Sequence, residues 1–404
     1  MGGSGNVPVK GIVAVVGAVL LLVIAFTAPF SGDSQAETAS QDAMVEADAV
    51  SGDGAAVPAA RVGTTSPPEP QPTISIPQPA PGAKPVQAVV ISVDGGCETE
   101  DGTIRTFLDT AKQVQGRFTF FMSGLCLLPD AQRMQYRPPG KLPGTSDVGF
   151  ATAELVDSRI RVFSDMWREG HEVGTHFLGH FCGGGGVDTW STEDWRSEIA
   201  QAKGFLDQWA ANNPQVTDTS LTLPFDSSVF VGDRTPCLEG QRPAMWDAFA
   251  AEGFRYEASD PGTLVWPKKV AGGRLWQFPL PALKLGGTDM WVLSMDYNLL
   301  VNQTGGKTEV APDECAQVEQ QNYDTFMGAL EGVYNGNRAP LFLGTHLNSW
   351  ACGAYITSLE RFIRDAKAKY PDIMFVSNRD LADWLDSMDP ATLKSLQKLE
   401  AQRY

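Results

Sequence analysis

The chain has 404 residues and a formal charge of −17, enough length for one large core or two ordinary ones. No basic stripe is visible, which argues against a nucleic-acid partner, since a phosphate backbone needs a cationic face. A neutral or basic partner is expected instead.

The first element is apolar. Residues from Gly11 to Gly32 carry no charge, Lys10 precedes them and Asp33 is the first charge after them. That run is longer than a secretory core of roughly 7–15 residues and close to the ~20 needed to cross a bilayer. Two readings stand: a single-pass anchor over 1–30 with the N-terminus inside, or a signal peptide cleaved near Ser34–Ala36. Both place the bulk of the chain outside the cytoplasm, tethered to the cell membrane or secreted. From 31 to 85 the composition turns to Ala, Ser, Pro, Gln and acids, as in "SPPEPQPTISIPQPAPGAKP". Such a stretch buries too little apolar surface to offset ordering and reads as a disordered linker.

The folded part is expected over 86–390, with a tail over 391–404. Candidate strands lie at 86–94, 117–124, 171–176, 229–236, 253–259, 291–298, 339–346 and 372–378. Helices fit between them. "STEDWRSEIAQAKGFLDQWAANN" opens with a capping box, Ser191 to Asp194, while "AYITSLERFIRDAKAKY" and "NRDLADWLDSM" carry helical periodicity. Strands alternating with helices in about eight units predict a mostly parallel sheet rolled into a (β/α) barrel. All six cysteines (97, 126, 182, 237, 315, 352) fall within this part. An even count in an exported domain points to disulfides whose pairing the sequence leaves open, and no C-x-x-C appears.

Asp94, His176, Arg234, Asp296 and His346 each end an expected strand. In (β/α) barrels the active site is built at that end of the strands. The chain has four histidines, and three of them fall between positions 171 and 180. The H-x-x-x-H spacing of His176 and His180 can put two rings on one side of a helical turn, where they can share a cation, and the glycines after them let backbone approach a ligand. Two imidazoles call for a harder third ligand, for which "ISVDGGCETEDG" offers Asp94, with Glu98 one short loop away. Trp190, Trp195, Trp266 and Trp350 are candidates for stacking on sugar rings, Trp350 first.

The segments "SVDGG", "HEVGTHFLGH", "RTPC", "MDY" and "FLGTH", in that order, resemble the five signature regions of the polysaccharide deacetylases, the NodB-homology or carbohydrate esterase family four. The resemblance spans roughly 86–390, with the histidine pair its most specific part. It implies a distorted (β/α) barrel of about seven to eight strands and hydrolysis of N- or O-acetyl groups on a cell-wall or environmental glycan, such as an acetylated polysaccharide or peptidoglycan. It also implies a divalent metal, zinc first. By position, His176 and His180 match the metal's imidazoles, Arg234 the residue orienting the base, Asp296 the acid tuning the catalytic histidine, and His346 that histidine.

One departure matters. The family's first region carries two successive aspartates, base then ligand, and here only Asp94 is present, flanked by Val93 and Gly95. Asp94 is either the ligand, with Val93 at the base position, or the base, with Gly95 where the ligand belongs. The ligand reading is preferred, because a two-imidazole site without a carboxylate is poor, and Glu98 is then the replacement base. Thiolate ligation by Cys97 or Cys182 is the lesser choice beside disulfide pairing. Two other functions compete: a deacetylase-fold protein that binds carbohydrate without turnover, and a metal-dependent hydrolase acting on another bond.

Overall fold

A computed structural model of the chain describes residues 68–404. The expected anchor or signal and most of the expected linker lie outside the described residues. Among those described, no helix is long and apolar enough to cross a membrane.

The strands are β1 (Ala88–Gly95), β2 (Thr119–Met122), β3 (Glu172–Thr175), β4 (Gly232–Asp233), β5 (Tyr256–Glu257), β6 (Pro261–Gly262), β7 (Lys268–Val270), β8 (Leu275–Gln277), β9 (Leu280–Lys284), β10 (Trp291–Leu293), β11 (Leu341–Thr345) and β12 (Met374–Phe375). Eight of them form one path in the order β11-β1-β2-β3-β4-β5-β8-β7, with β12 added on β1. Pairing along it is parallel except between β7 and β8. A separate three-stranded sheet, β10-β9-β6, reaches β11 through a bridge between Met295 and Gly344. The expected α/β barrel is therefore present as a curled sheet whose path ends at β11 and β7, strands that do not pair with each other.

β1 shows why the sheet curls around a site. Val89, Ile91 and Val93 pack on the helix side, while Ala88 and Val90 join a second apolar cluster with Phe121, Tyr256, Phe278, Met295 and Phe342. Both faces are buried, as parallel strands require. Side chains alternate, so the inner face of β1 continues Ala88, Val90, Ser92, Asp94. It is apolar at the bottom of the curl and polar at the mouth.

Several expected elements shift. The candidate strand 229–236 shrinks to Gly232–Asp233, preceded by the 3-10 turn Ser227–Val229, because Asp226 caps that turn by accepting the Ser228 N–H at 3.0 Å. Asp296 opens the helix Asp296–Thr304 rather than ending a strand. The capping box forms as expected, with Asp194 N–H donating to Ser191 Oγ at 3.2 Å and Ser191 N–H to Asp194 Oδ2 at 2.9 Å.

Two helices that the sequence reading passed over, Ala153–Arg168 and Pro312–Asn335, cover the sheet. The end of the expected linker is not loose. From Pro68 it straps the domain: Glu69 N–H donates to Pro224 O at 2.7 Å, Trp167 Nε1–H donates to Glu69 O at 2.8 Å, and Ile74 and Ile76 pack on the core. The tail is tied down as well, Tyr404 Oη accepting the Lys284 N–H at 2.9 Å.

Candidate functional site

The mouth of the curl is organised by Arg234, which follows β4 and is 1% exposed. Its Nη1 donates to Asp94 Oδ1 at 2.9 Å and to Ser92 Oγ at 2.7 Å, and its Nε donates to Ala258 O at 2.8 Å. The guanidinium also lies 4.9 Å from the centroid of the Phe121 ring. A buried arginine needs this many acceptors, since an unpaired charge there would be costly. Burial pushes the Asp94 carboxyl upward, but Arg234, then His176, then His346 outweigh it and hold Asp94 below the usual carboxylate range. Asp94 is thus ionised, and three cationic or ionisable partners surround it.

His176 follows β3. Its Nδ1 lies 2.8 Å from Arg234 O, and a carbonyl only accepts, so Nδ1 carries the proton and Nε2 the lone pair. Burial, partly countered by Asp94, lowers its pKa to about 4, which keeps the ring neutral at ordinary pH. That tautomer and charge suit a metal ligand. The His180 ring lies 5.1 Å away, centroid to centroid. The helical turn expected for this pair is absent. Phe177 and His180 both adopt left-handed backbone, φ 59° and 54°, so a tight loop brings the rings together.

The third ligand does not join them. Among the described residues, the trio of potential ligands whose atoms lie within 4.8 Å of one another is His180, Cys182 and Cys237, not Asp94, His176 and His180. Cys182 and Cys237 are bonded to each other, so neither is a thiolate ligand. Two imidazoles therefore fit a cation, and Asp94 is committed to Arg234. Glu98 is placed elsewhere too. Its carboxylate accepts the N–H groups of Thr99, Ile104 and Arg105 at 3.0, 3.1 and 3.0 Å, capping the helix Thr103–Gln113. Both oxygens accept backbone N–H bonds at the helix start and the residue is 2% exposed, which commits Glu98 to capping rather than to a substrate water.

His346 follows β11 and makes the second charged pair. Its Nδ1 lies 2.6 Å from Asp296 Oδ1, while Asp296 Oδ2 accepts the His346 N–H at 2.6 Å and the Thr345 hydroxyl at 3.0 Å. Partial burial would lower the ring's pKa, but the Asp296 carboxylate outweighs it and raises the value to about 9. The His346 side chain keeps 29% of its surface open, so the ring is both cationic and reachable. Trp350 lies 5.9 Å from the His346 ring and Tyr297, 46% exposed, lies 6.0 Å from Trp350. Trp190, Trp195 and Trp266 are core residues, at most 4% exposed, which removes them as sugar platforms.

Of the seven residues singled out from the sequence, the structure gathers Asp94, Arg234, His176, His180, Asp296 and His346 at one mouth, and turns Glu98 to capping. Sequence reading missed Ser92, Thr345 and Tyr297. Ser92 was findable, because two residues before Asp94 on a strand is the same face. All six cysteines form disulfides, Cys97–Cys126, Cys182–Cys237 and Cys315–Cys352.

No family model and no curated protein matches the chain. Solved structures do. One from Mycobacterium smegmatis, described as a polysaccharide deacetylase, is 14% identical with TM-score 0.47, covering 84% of this chain and 98% of that one. A Streptococcus mutans CE4 esterase is 13% identical with TM-score 0.40, covering 72% and 86%. A family 4 acetyl xylan esterase from Clostridium thermocellum, in complex with a cobalt ion, is 14% identical with TM-score 0.37, covering 78% and 98%. The chain is similar to these in outline, and its chemistry has to be read from its own distances.

Proposed function

We propose that the chain is an extracytoplasmic hydrolase that removes acetyl groups from a glycan. The observation that carries this reading is the pairing of two oppositely prepared groups at one mouth: Asp94, kept ionised by Arg234, and His346, kept protonated by Asp296. One can take a proton and the other can give one, which is what amide or ester hydrolysis needs. Asp94 therefore takes the base role in place of Glu98, and its pairing with Arg234 matches the role that the sequence resemblance assigns to that arginine. Asp94 accepts the proton of the attacking water. His346 gives its Nε2 proton to the departing amine or alcohol, and the Asp296 carboxylate holds the ring in that tautomer. Trp350 and Tyr297 line the approach to His346 and suit the apolar face of a sugar.

His176 and His180 would hold a divalent cation, zinc first. When bound it supplies a Lewis acid for the acetyl carbonyl and a more acidic water. The N-terminal apolar segment would serve as the anchor or export signal.

The test is acetate release from N-acetylglucosamine oligomers, peptidoglycan and acetylated xylan, comparing wild type with Asp94→Asn and His346→Gln. Loss of at least about a hundredfold in either variant is expected, in line with the usual contribution of a positioned acid or base. Release unchanged in both variants would overturn the assignment.

A second reading has its own support. Asp94 shares the mouth with the histidines but closes no three-ligand cluster with His176 and His180, and Gly95 offers no carboxylate, so a carbohydrate-binding protein with little turnover would show the same mouth. Retained glycan binding with no acetate from any substrate, metal added or not, would select it.

A further inference from the structure

The Cys182–Cys237 disulfide joins the loop after His180 to the loop after Arg234, beside the site but outside the chemistry proposed for it. We infer that this pair, once reduced, forms a soft cation site with His180, so that the oxidation state of the bridge decides which partners His180 has.

Three observations carry this. The sulfurs of Cys182 and Cys237 and a ring nitrogen of His180 already lie within 4.8 Å of one another, with His180 Nδ1 3.7 Å from Cys182 Sγ. Two thiolates and an imidazole make a Cys2His set that neutralises a divalent charge and leaves a fourth tetrahedral position open. Second, this is the disulfide whose two residues are both exposed. Cys97 is half-buried, and Cys126 and Cys315 are each 7% exposed. A reductant reaches the Cys182–Cys237 bridge first.

Third, the loops are held together by more than the bridge. Gly183 N–H donates to Glu239 Oε2 at 2.7 Å and Gln241 Nε2 donates to Asp188 O at 2.8 Å. Upstream, the His176 ring donates to Arg234 O. Breaking the sulfur–sulfur bond therefore leaves the two thiols facing each other. His180 and Cys237 adopt left-handed backbone, φ 54° each, a conformation that surrounding contacts have to enforce. Gly183 and Gly185, with positive φ and open space where a Cβ would stand, let the Cys182 side adjust around an ion.

The chemistry balances. A dithiol attacks the bridge through a mixed disulfide and leaves as its own disulfide, delivering two electrons; each protein sulfur takes one proton. Cation binding then releases those two protons as the thiols become thiolates.

The test uses the full chain, reduced with a dithiol, desalted under argon and titrated with cobalt(II) as the probe. Reduced wild type should bind one equivalent with a thiolate-to-cobalt charge-transfer band that the oxidised protein lacks. The double variant Cys182→Ser/Cys237→Ser, equally reduced and so still carrying the other four thiols, should lack the band. His180→Gln should keep the thiolates but bind at least about tenfold more weakly, since one of the three protein ligands is gone. Circular dichroism on each sample controls for folding. A band of equal strength in the double variant would overturn the proposal, as would a bridge that resists the dithiol or a reduced wild type that shows no band. None of these readouts depends on acetate release, so failure here and failure of the hydrolase reading are separable.

Discussion

Replacing Asp296 by Asn removes the charge that keeps His346 protonated. In the wild type the pair at 2.6 Å raises the ring from its ordinary 6.5 to about 9. Each pKa unit corresponds to about 1.4 kcal/mol, so the net effect of the ring's surroundings, burial opposing and Asp296 the largest favourable group, is on the order of 3 kcal/mol of folding stability while the ring is charged. The sign follows from the direction of the shift. A folded-state pKa above the unfolded value gives stability that is fully present below about pH 6.5 and lost as pH rises through about 9.

The variant should therefore be less stable by roughly 3 kcal/mol at pH 6, and the gap should narrow by pH 10. Urea unfolding at several pH values measures that gap. Proton NMR of chelator-treated protein measures the ring directly, and with four histidines in the chain the assignment is tractable. His171 and His176 are pushed down to about 3 and about 4, so neither competes in the alkaline window. A wild-type His346 that titrates near 6.5, or a stability gap that stays constant from pH 6 to 10, would refute the reasoning.

Arg234→Met should leave Asp94 as an uncompensated buried charge and cost roughly 3–5 kcal/mol in urea unfolding, with Asp94→Asn in the same chain recovering part of it; a loss under about 1 kcal/mol would count against the pairing. Gly232→Ala drives a Cβ into the Tyr256 ring, which is fixed by its hydrogen bond to Glu172, and should cost about 1–3 kcal/mol or more. A Cβ at Gly95 would meet no atom within 4 Å, and the left-handed φ of 76° strains any L residue there, Asp less than most, so Gly95→Asp costs some stability without a clash. If the missing third ligand limits cation binding, this variant should bind zinc at least about tenfold more tightly by calorimetry, a gain of about 1.4 kcal/mol. Unchanged affinity would show that Gly95 is not the deficient position.

Local signals in the sequence settled a good deal. The alternation of β1, the capping box at Ser191, the even set of cysteines and the polar residues at apolar strand ends are all written within a few neighbouring residues, where propensity and side-chain period act. What each polar group does was decided by contacts from far along the chain. Asp94 pairs with a residue 140 positions away and His346 with one 50 away. Glu98 was drawn off by the amides of a helix start, which compete for the nearest free carboxylate. The histidine pair met through a left-handed loop rather than a helix, and the six cysteines formed their three pairs only when segments 29, 55 and 37 residues apart were brought together. The linker's last residues show the same division. Their composition alone is too polar and proline-rich to build a core, yet buried tryptophans such as Trp167 and Trp384 carry indole N–H donors, and the strap's carbonyls at Glu69 and Pro77 satisfy them.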